Sequence, residues 1–421
     1  MIKRTLVTWA VCFVALAAWQ PVVAGEWKGQ EAVKDGVKHV MNPAAGAEQS
    51  TAYKLEELWR LGGDTDDEDE FFGVIAQILA DDEGNVYLLD SQLAQVRIFS
   101  SNGEFIRAIG REGEGPGEFK SPTGMFFTAD GNIGVVQVQP GKIVLLSPDG
   151  EPAGEHPLPK QEDGGFINLV GGQANGNNLV LAAALSAFSE GKFEQTRYLA
   201  SIDGEGNELA RYCSDVRTID FANASMDEVA WDTFDRRWVV DQKGRVFAAT
   251  SFSDYQIKVW NADGTPERVI EREYKHRKRT PQESKVLEDL YGIFARRIPN
   301  STVNVSDYHK DIESFYLRDD GSIWVLTSDG SRGLPEGIVG TFDVYDKDGH
   351  ILRQVTLKGE GDSLTDGYYF VKDRLYVVTD LLQAAISQQA GGESFQIGEE
   401  EPEPMSVIAY QLDGDLLTLS R

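Results

Sequence analysis

Cysteine is nearly missing from this 421-residue chain: there are two, Cys12 and Cys213, and histidine is scarce at five. Cys12 lies in an apolar N-terminal run, so a chain that loses this run keeps Cys213 alone. No intrachain disulfide is then available, and stability must come from burial. Positive charge is also short, with 40 Lys and Arg against 68 Asp and Glu and a net charge of −28. A surface this acidic repels phosphate backbones, which argues against nucleic acid as a partner. Past the first residues no stretch is long and apolar enough to span a membrane.

The opening "MIKRTLVTWAVCFVALAAWQPVVAGEW" has the three parts of a secretory leader. Lys3 and Arg4 form the positive end, Leu6–Trp19 the apolar middle, and Val22-Val23-Ala24 the small-residue cleavage site. The expectation is export to the periplasm or exterior with cleavage after Ala24. An uncleaved N-terminal anchor is the alternative, and the apolar run is short for that. Removing residues 1–24 takes away two basic residues and no acidic one, which moves the net charge from −28 to −30.

What is present is a repeat. An Asp-Gly, Glu-Gly or Lys-Gly turn between apolar runs recurs at "DDEGNVYLLD" (81–90), "TADGNIGVVQV" (128–138), "DQKGRVFAAT" (241–250) and "RDDGSIWVLT" (318–327). A second phrase ends one strand and turns into the next, as in "VRIFSSNGEFIRAIG" (96–110), "IKVWNADGTPERVI" (257–270) and "FDVYDKDGHILRQV" (342–355). Glycine there supplies the positive φ of a tight hairpin turn. Runs such as Val86–Leu89 are apolar on both faces and suit strands sandwiched between sheets. The spacing predicts an all-β, six-bladed β-propeller of four-stranded antiparallel blades near 72–110, 120–158, 164–213, 234–272, 311–357 and 363–420. Residues 25–52 read as an N-terminal extension and 53–421 as the propeller. Residues 53–60 read as an extra outer strand that helps close the ring. Leu416–Leu419 read as the last blade's own outer strand, which leaves open which end closes it.

The stretch "DDEGNVYLLDSQLAQVRIFSSNGEFIRAIGREGEGPGEF" (81–119) resembles the NHL-repeat family. With "DGVKHVMNP" (35–43) and "YKHRKRTPQE" (274–283), the chain is similar to exported bacterial six-bladed propellers of that superfamily. The resemblance implies the fold and no common reaction. The glycine-rich "REGEGPGEF" precedes no periodic helix and lacks the phosphate-loop arrangements, so it reads as a blade-to-blade connection.

Extra length is not scattered. In a four-stranded blade the B–C and D–A connections share one face. The long segments fall there: 185–195, 328–340 and 380–404 at B–C, and 214–233 and 273–310 at D–A. Insertions gathered on one face mark a binding face. Within 273–310, Thr280, Pro281 and Glu283 form a capping box, and Leu287, Leu290, Tyr291 and Phe294 repeat at helical spacing. Before this helix stands the one dense basic cluster, and Tyr274, His276, Arg277, Arg279 and Arg297 are the expected contacts to a small anionic ligand or a protein partner. The bland alternative is ordinary salt bridging with acidic loops.

No G-x-S-x-G elbow is present, and Cys213 has no evident base partner. Related propellers that are lactonases hold a calcium-type ion at the axis. Asp90, Asp254, Asp329 and Asp380 each follow the second strand of a blade and are the candidate ligands for Ca2+ or another divalent ion. No cofactor is firmly implied, because each carboxylate can equally cap its own loop. Three readings follow. The favoured one is a non-enzymatic binding propeller. The others are a metal-dependent lactonase or lyase at the funnel, and a passive extracellular scaffold.

Overall fold

The structure is a computed structural model that describes residues 27–44, 50–160, 165–175, 178–189, 191–220, 224–234, 237–296, 301–389 and 403–412. Six antiparallel four-stranded blades form it, as the repeat predicts. Strands are lettered A to D from the axis outward. Blade 1 runs Ile75–Ala80, Val86–Asp90, Gln95–Phe99 and Phe105–Ile109. Blade 2 runs from Pro122–Phe127 to Pro152–His156, and blade 3 from Phe166–Asn175 to Glu208–Asp220. Blade 4 runs from Trp238–Val240 to Pro266–Arg272, and blade 5 from Ile312–Leu317 to Ile351–Lys358. Blade 6 takes strands A to C from Gly367–Val371, Arg374–Val378 and Ser406–Gln411.

The Asp-Gly phrases fold as their chemistry requires. At the first, Asp81 Oδ1 accepts from Glu83 N at 3.0 Å and Asn85 N at 2.9 Å, and Gly84 sits at φ +86. Asp203, Asp241 and Asp346 accept from the residues two and four places on in the same way. Each turn presents two double-sided apolar strands, and neighbouring blades bury them. Among the described residues one hydrophobic cluster lies at each of the six blade junctions. Val86, Leu88 and Leu89 of blade 1 are wholly buried, as are Val377 and Ile408 of the adjoining blade 6.

Around the axis the A strands are stitched by side chains. Gln77 Oε1 accepts from Met125 N at 2.6 Å, Gln173 Oε1 from Val240 N at 3.0 Å, and Tyr369 OH donates to Ala76 O at 3.0 Å.

The N-terminal segment is built into the ring. A hairpin of Gln30–Lys34 and Val37–Asn42 lays its second strand parallel to strand D of blade 4. Ser50–Lys54 then runs parallel to strand D of blade 5, and Glu56–Gly62 pairs antiparallel with Ser406–Gln411 as strand D of blade 6. The chain thus belts three consecutive blades before blade 1 begins, and its N-terminal side closes the ring. Leu416–Leu419 lie outside the described residues. Asn42 fastens the belt: its side chain donates to Glu271 O and Gly349 O and accepts from Ile351 N, joining blades 4 and 5.

Among the described residues four α-helices, α1 (Glu228–Trp231), α2 (Pro281–Ala295), α3 (Ser328–Ser331) and α4 (Leu381–Gln389), all sit in B–C or D–A connections and so share one face. The capping box of α2 is present, with Thr280 N donating to Glu283 Oε2 at 2.7 Å and Glu283 N to Thr280 Oγ1 at 3.2 Å. The 185–195 segment differs from the loop expected of it. Strands B and C of blade 3 continue through it as Asn178–Ser189 and Lys192–Ile202. With a rise of about 3.3 Å per residue, their lengths carry blade 3 well past the five-residue B and C strands of blades 1 and 2.

Candidate functional site

The D–A insertions ahead of blades 4 and 5 are tied together above the disc. Ser225–Asp227 pairs in parallel with Thr302–Asn304, and Arg279 grips Glu228 through two bonds of 2.5 and 2.6 Å while also reaching Ser306 O at 2.8 Å. Both side chains are buried. Arg279, expected at a ligand, therefore spends its guanidinium fork inside the insertion. Arg297 lies outside the described residues.

Where the insertion leaves blade 4, it passes the N-terminal hairpin and leaves a cleft of about 510 Å³. Asp254, Tyr255, Arg272, Tyr274, His276 and Asp311 line one side, and residues 28–30 and 41–43 of the hairpin line the other. His276 is the exposed member of a pair. Its ring is half exposed, and its Nδ1 lies 2.8 Å from Oδ1 of Asp311, which is only 1 % exposed. With the carboxylate ionised, Nδ1 donates to it, and in the neutral ring Nε2 carries the lone pair. Burial pushes the Asp311 carboxyl above its ordinary value, the His276 contact pulls it back, and the charges of Asp254 and Asp329 push it further up. The second oxygen of Asp311 is buried without a hydrogen-bond donor.

The floor is rigid for an electrostatic reason. Asp343, 1 % exposed, accepts from Tyr255 OH at 2.9 Å, from Gln354 Nε2 at 2.9 Å and from Arg272, while Tyr345 OH donates to Tyr255 OH at 2.6 Å. Burial disfavours the Arg272 cation, yet Asp343 beside it holds the group above its usual value. The Arg272 guanidinium lies 5.4 and 5.6 Å from the ring centres of Tyr255 and Tyr274. Tyr274 is fixed at its far end, with its hydroxyl 2.8 Å from Ser328 Oγ and accepting from Asp329 N at 3.1 Å.

The structure brings Tyr274 and His276 to the cleft together. Arg277 sits 3.7 Å from Asp329. Three arginines of the basic cluster thus face carboxylates: Arg272 faces Asp343, Arg277 faces Asp329 and Arg279 faces Glu228. The four aspartates proposed for a metal do not converge. Among the described residues no group of three or more His, Cys, Asp or Glu is placed to hold a metal ion. Asp90 caps its own loop, accepting from the backbone N–H of Gly73, Val74, Gln92 and Leu93. Asp254 accepts from Ser251 Oγ at 2.9 Å, and Asp329 is exposed at the start of α3. Asp380 opens α4 at φ +53, its N–H held by Asp366 at 2.9 Å. Of the cleft residues the sequence did not single out, Asp311 matters most. It stands 35 residues from its histidine in no local motif, and only the D–A crossover unites them.

A second hollow, of about 570 Å³, lies where the belt crosses from blade 5 to blade 6 beside Glu57, Glu360 and Tyr410. Its main charged contact is the exposed Arg60–Glu360 pair, and it holds no buried titratable couple. The chemistry sits in the first cleft.

These features define a six-bladed β-propeller whose long connections gather on one face. Residues 64–265 match the model of the DUF5128 family, a 6-bladed beta-propeller. No curated protein sequence matches the chain. Among solved structures, it is similar to a Bacteroides fragilis protein assigned to export, at 15 % identity and TM-score 0.48 over 86 % of this chain and 100 % of that one. It is similar also to a member of the duf4221 family from Bacteroides vulgatus, at 13 % identity and TM-score 0.47 over 85 % and 97 %. A calcium-binding regucalcin of Agrobacterium tumefaciens matches at 9 % identity and TM-score 0.43 over 86 % and 97 %. At such identities the likeness is one of fold. Among the described residues no helix is long and apolar enough to cross a membrane.

Proposed function

We infer that this protein is an exported binding propeller, periplasmic or secreted, that recognises a ligand or partner on its long-loop face. Its recognition point is the cleft between the N-terminal hairpin and blade 4. The leader-like N-terminus supports export. One observation carries the binding reading: an oriented His276–Asp311 pair faces an open cleft whose floor is locked by the Asp343 network. Concave sites with a few convergent polar groups on rigid elements are where ligands bind. Against the anionic ligand expected from the basic cluster, Arg272, Arg277 and Arg279 already have carboxylate partners.

The test is a thermal-shift screen of the chain from Gly25 against organic anions, amines, sugars and short peptides. A true ligand raises Tm in a saturable way, and the shift disappears in an Asp254→Ala, His276→Ala double variant. A ligand whose shift survives that variant sits elsewhere and refutes the assignment.

A further inference from the structure

We propose that the cleft receives an alkylammonium group, held between the Asp254 carboxylate and the Nε2 lone pair of His276. This rests on the reading of the cleft as a binding site and adds the chemical class of its ligand. The argument begins with what is already committed. Arg272, the one arginine of the lining, is locked to Asp343 beneath the floor, and Glu271 is occupied by Lys34, His39 and Gln256. Asp254 is exposed, and its carboxylate takes only the Ser251 hydroxyl. Glu273 adds a further exposed carboxylate at the rim.

Asp311 supplies an independent sign, a buried and only partly compensated negative charge at the cleft wall. It is 1 % exposed, lines the cleft, and has one oxygen with no donor. A buried carboxylate left half-satisfied is costly. Its charge is felt through the ring it holds: Nδ1–H points at the carboxylate, so Nε2 faces the cleft as an acceptor. An imidazole acceptor beside a free carboxylate matches the three N–H donors of an ammonium. An anion in the same place would meet three carboxylates, Asp254, Glu273 and Asp311, against a single exposed lysine, Lys28 of the hairpin. The chain's net charge of −28 raises the local concentration of cations in the same direction. In this arrangement Asp254 and His276 touch the ligand, and Asp311 is a positioning residue behind the ring.

The experiment is calorimetric titration of the chain from Gly25, at low salt, with three isosteric probes: cadaverine, 1,5-pentanediol and glutarate. Cadaverine should bind at one saturable site, with affinity lowered tenfold or more by Asp254→Asn and by His276→Ala. Glu155→Gln, on the outer strand of blade 2, is the control for diffuse attraction to an acidic surface. Equal loss in Asp254→Asn and Glu155→Gln, or equal affinity for pentanediol, overturns the proposal. Glutarate or pentanediol binding that is lost in His276→Ala overturns the ligand class and leaves the cleft as a site. If none of the three probes slows hydrogen exchange at 253–256 and 272–276, both readings fall. Asp254 is exposed, so its variant folds even if an Asp311 variant does not.

Discussion

Asp90, Asp311, Asp343 and Asp366 are carboxylates drawn wholly or partly away from water, and each solves the problem differently. Asp90 collects four backbone N–H groups, and Asp343 collects an arginine, a tyrosine and a glutamine. Asp311 is left half satisfied, and Asp366 holds backbone N–H groups of Asp362 and Asp380 yet is pushed up to about 6, chiefly by burial. Asp90→Asn should cost about 1.5–3 kcal/mol in a urea titration, because an amide cannot accept from donors on both sides. The axial-metal expectation requires bound metal to fall with it, and loop capping predicts no change in metal content. Asp366 gives a pH signature with a definite sign. Its folded pKa lies above the ordinary 3.8, so the native state binds more protons than the unfolded chain between about pH 4 and 6. Its contribution is therefore present at acid pH and is lost as pH rises through 6. Denaturation midpoints of the parent and of Asp366→Asn, measured from pH 4 to 8, should diverge in that window. Parallel profiles would refute it.

At the scale of elements, α2 is held at its N-terminal end. The capping box sets its start, and just before it Arg279 is buried against Glu228. Removing one partner of a buried pair leaves an uncompensated charge, so Arg279→Met should destabilise the insertion by about 3–5 kcal/mol. Thr280→Ala should cost about 1 kcal/mol. Hydrogen exchange across 281–295 separates the two, with rapid exchange expected only in the first. The helix was legible in the sequence because a capping box and a 3.6-residue stripe are local. Arg279 was read as a ligand contact because its partner Glu228 lies 51 positions away. The same limit hid the course of 185–195. "LSAFSEGKFEQ" has a glycine turn between runs that suit strands, but only pairing with 208–220 shows that the sheet continues.

At the scale of the whole molecule, blade count and blade order were readable because each turn carries its own Asp-Gly signal. The belt was not. Residues 30–54 add parallel strands to blades 4 and 5, and parallel pairing between distant segments leaves no turn between them in the chain. A chain beginning at Asp64 would lack strand D of blade 6 and leave Ser406–Gln411 as an open edge beside the uncovered Val407 and Tyr376 cluster. Such a truncation should self-associate in light scattering and unfold less cooperatively than the parent. A monomer with an unchanged melting profile would show that the belt is dispensable.

Closure by residues 56–62 also sets a timetable. This strand leaves the ribosome about 340 residues before its partner at 406–411 exists. At 5–20 residues per second it waits roughly 17–70 s, with its backbone groups unclaimed. Glu56, Glu57 and Arg60 give the waiting strand a charged face, the feature that discourages a lone strand from pairing with the wrong neighbour. The first strand of the ring is thus also the last to find its place, and newborn chains pass through an open-ring interval in which crowding is the hazard.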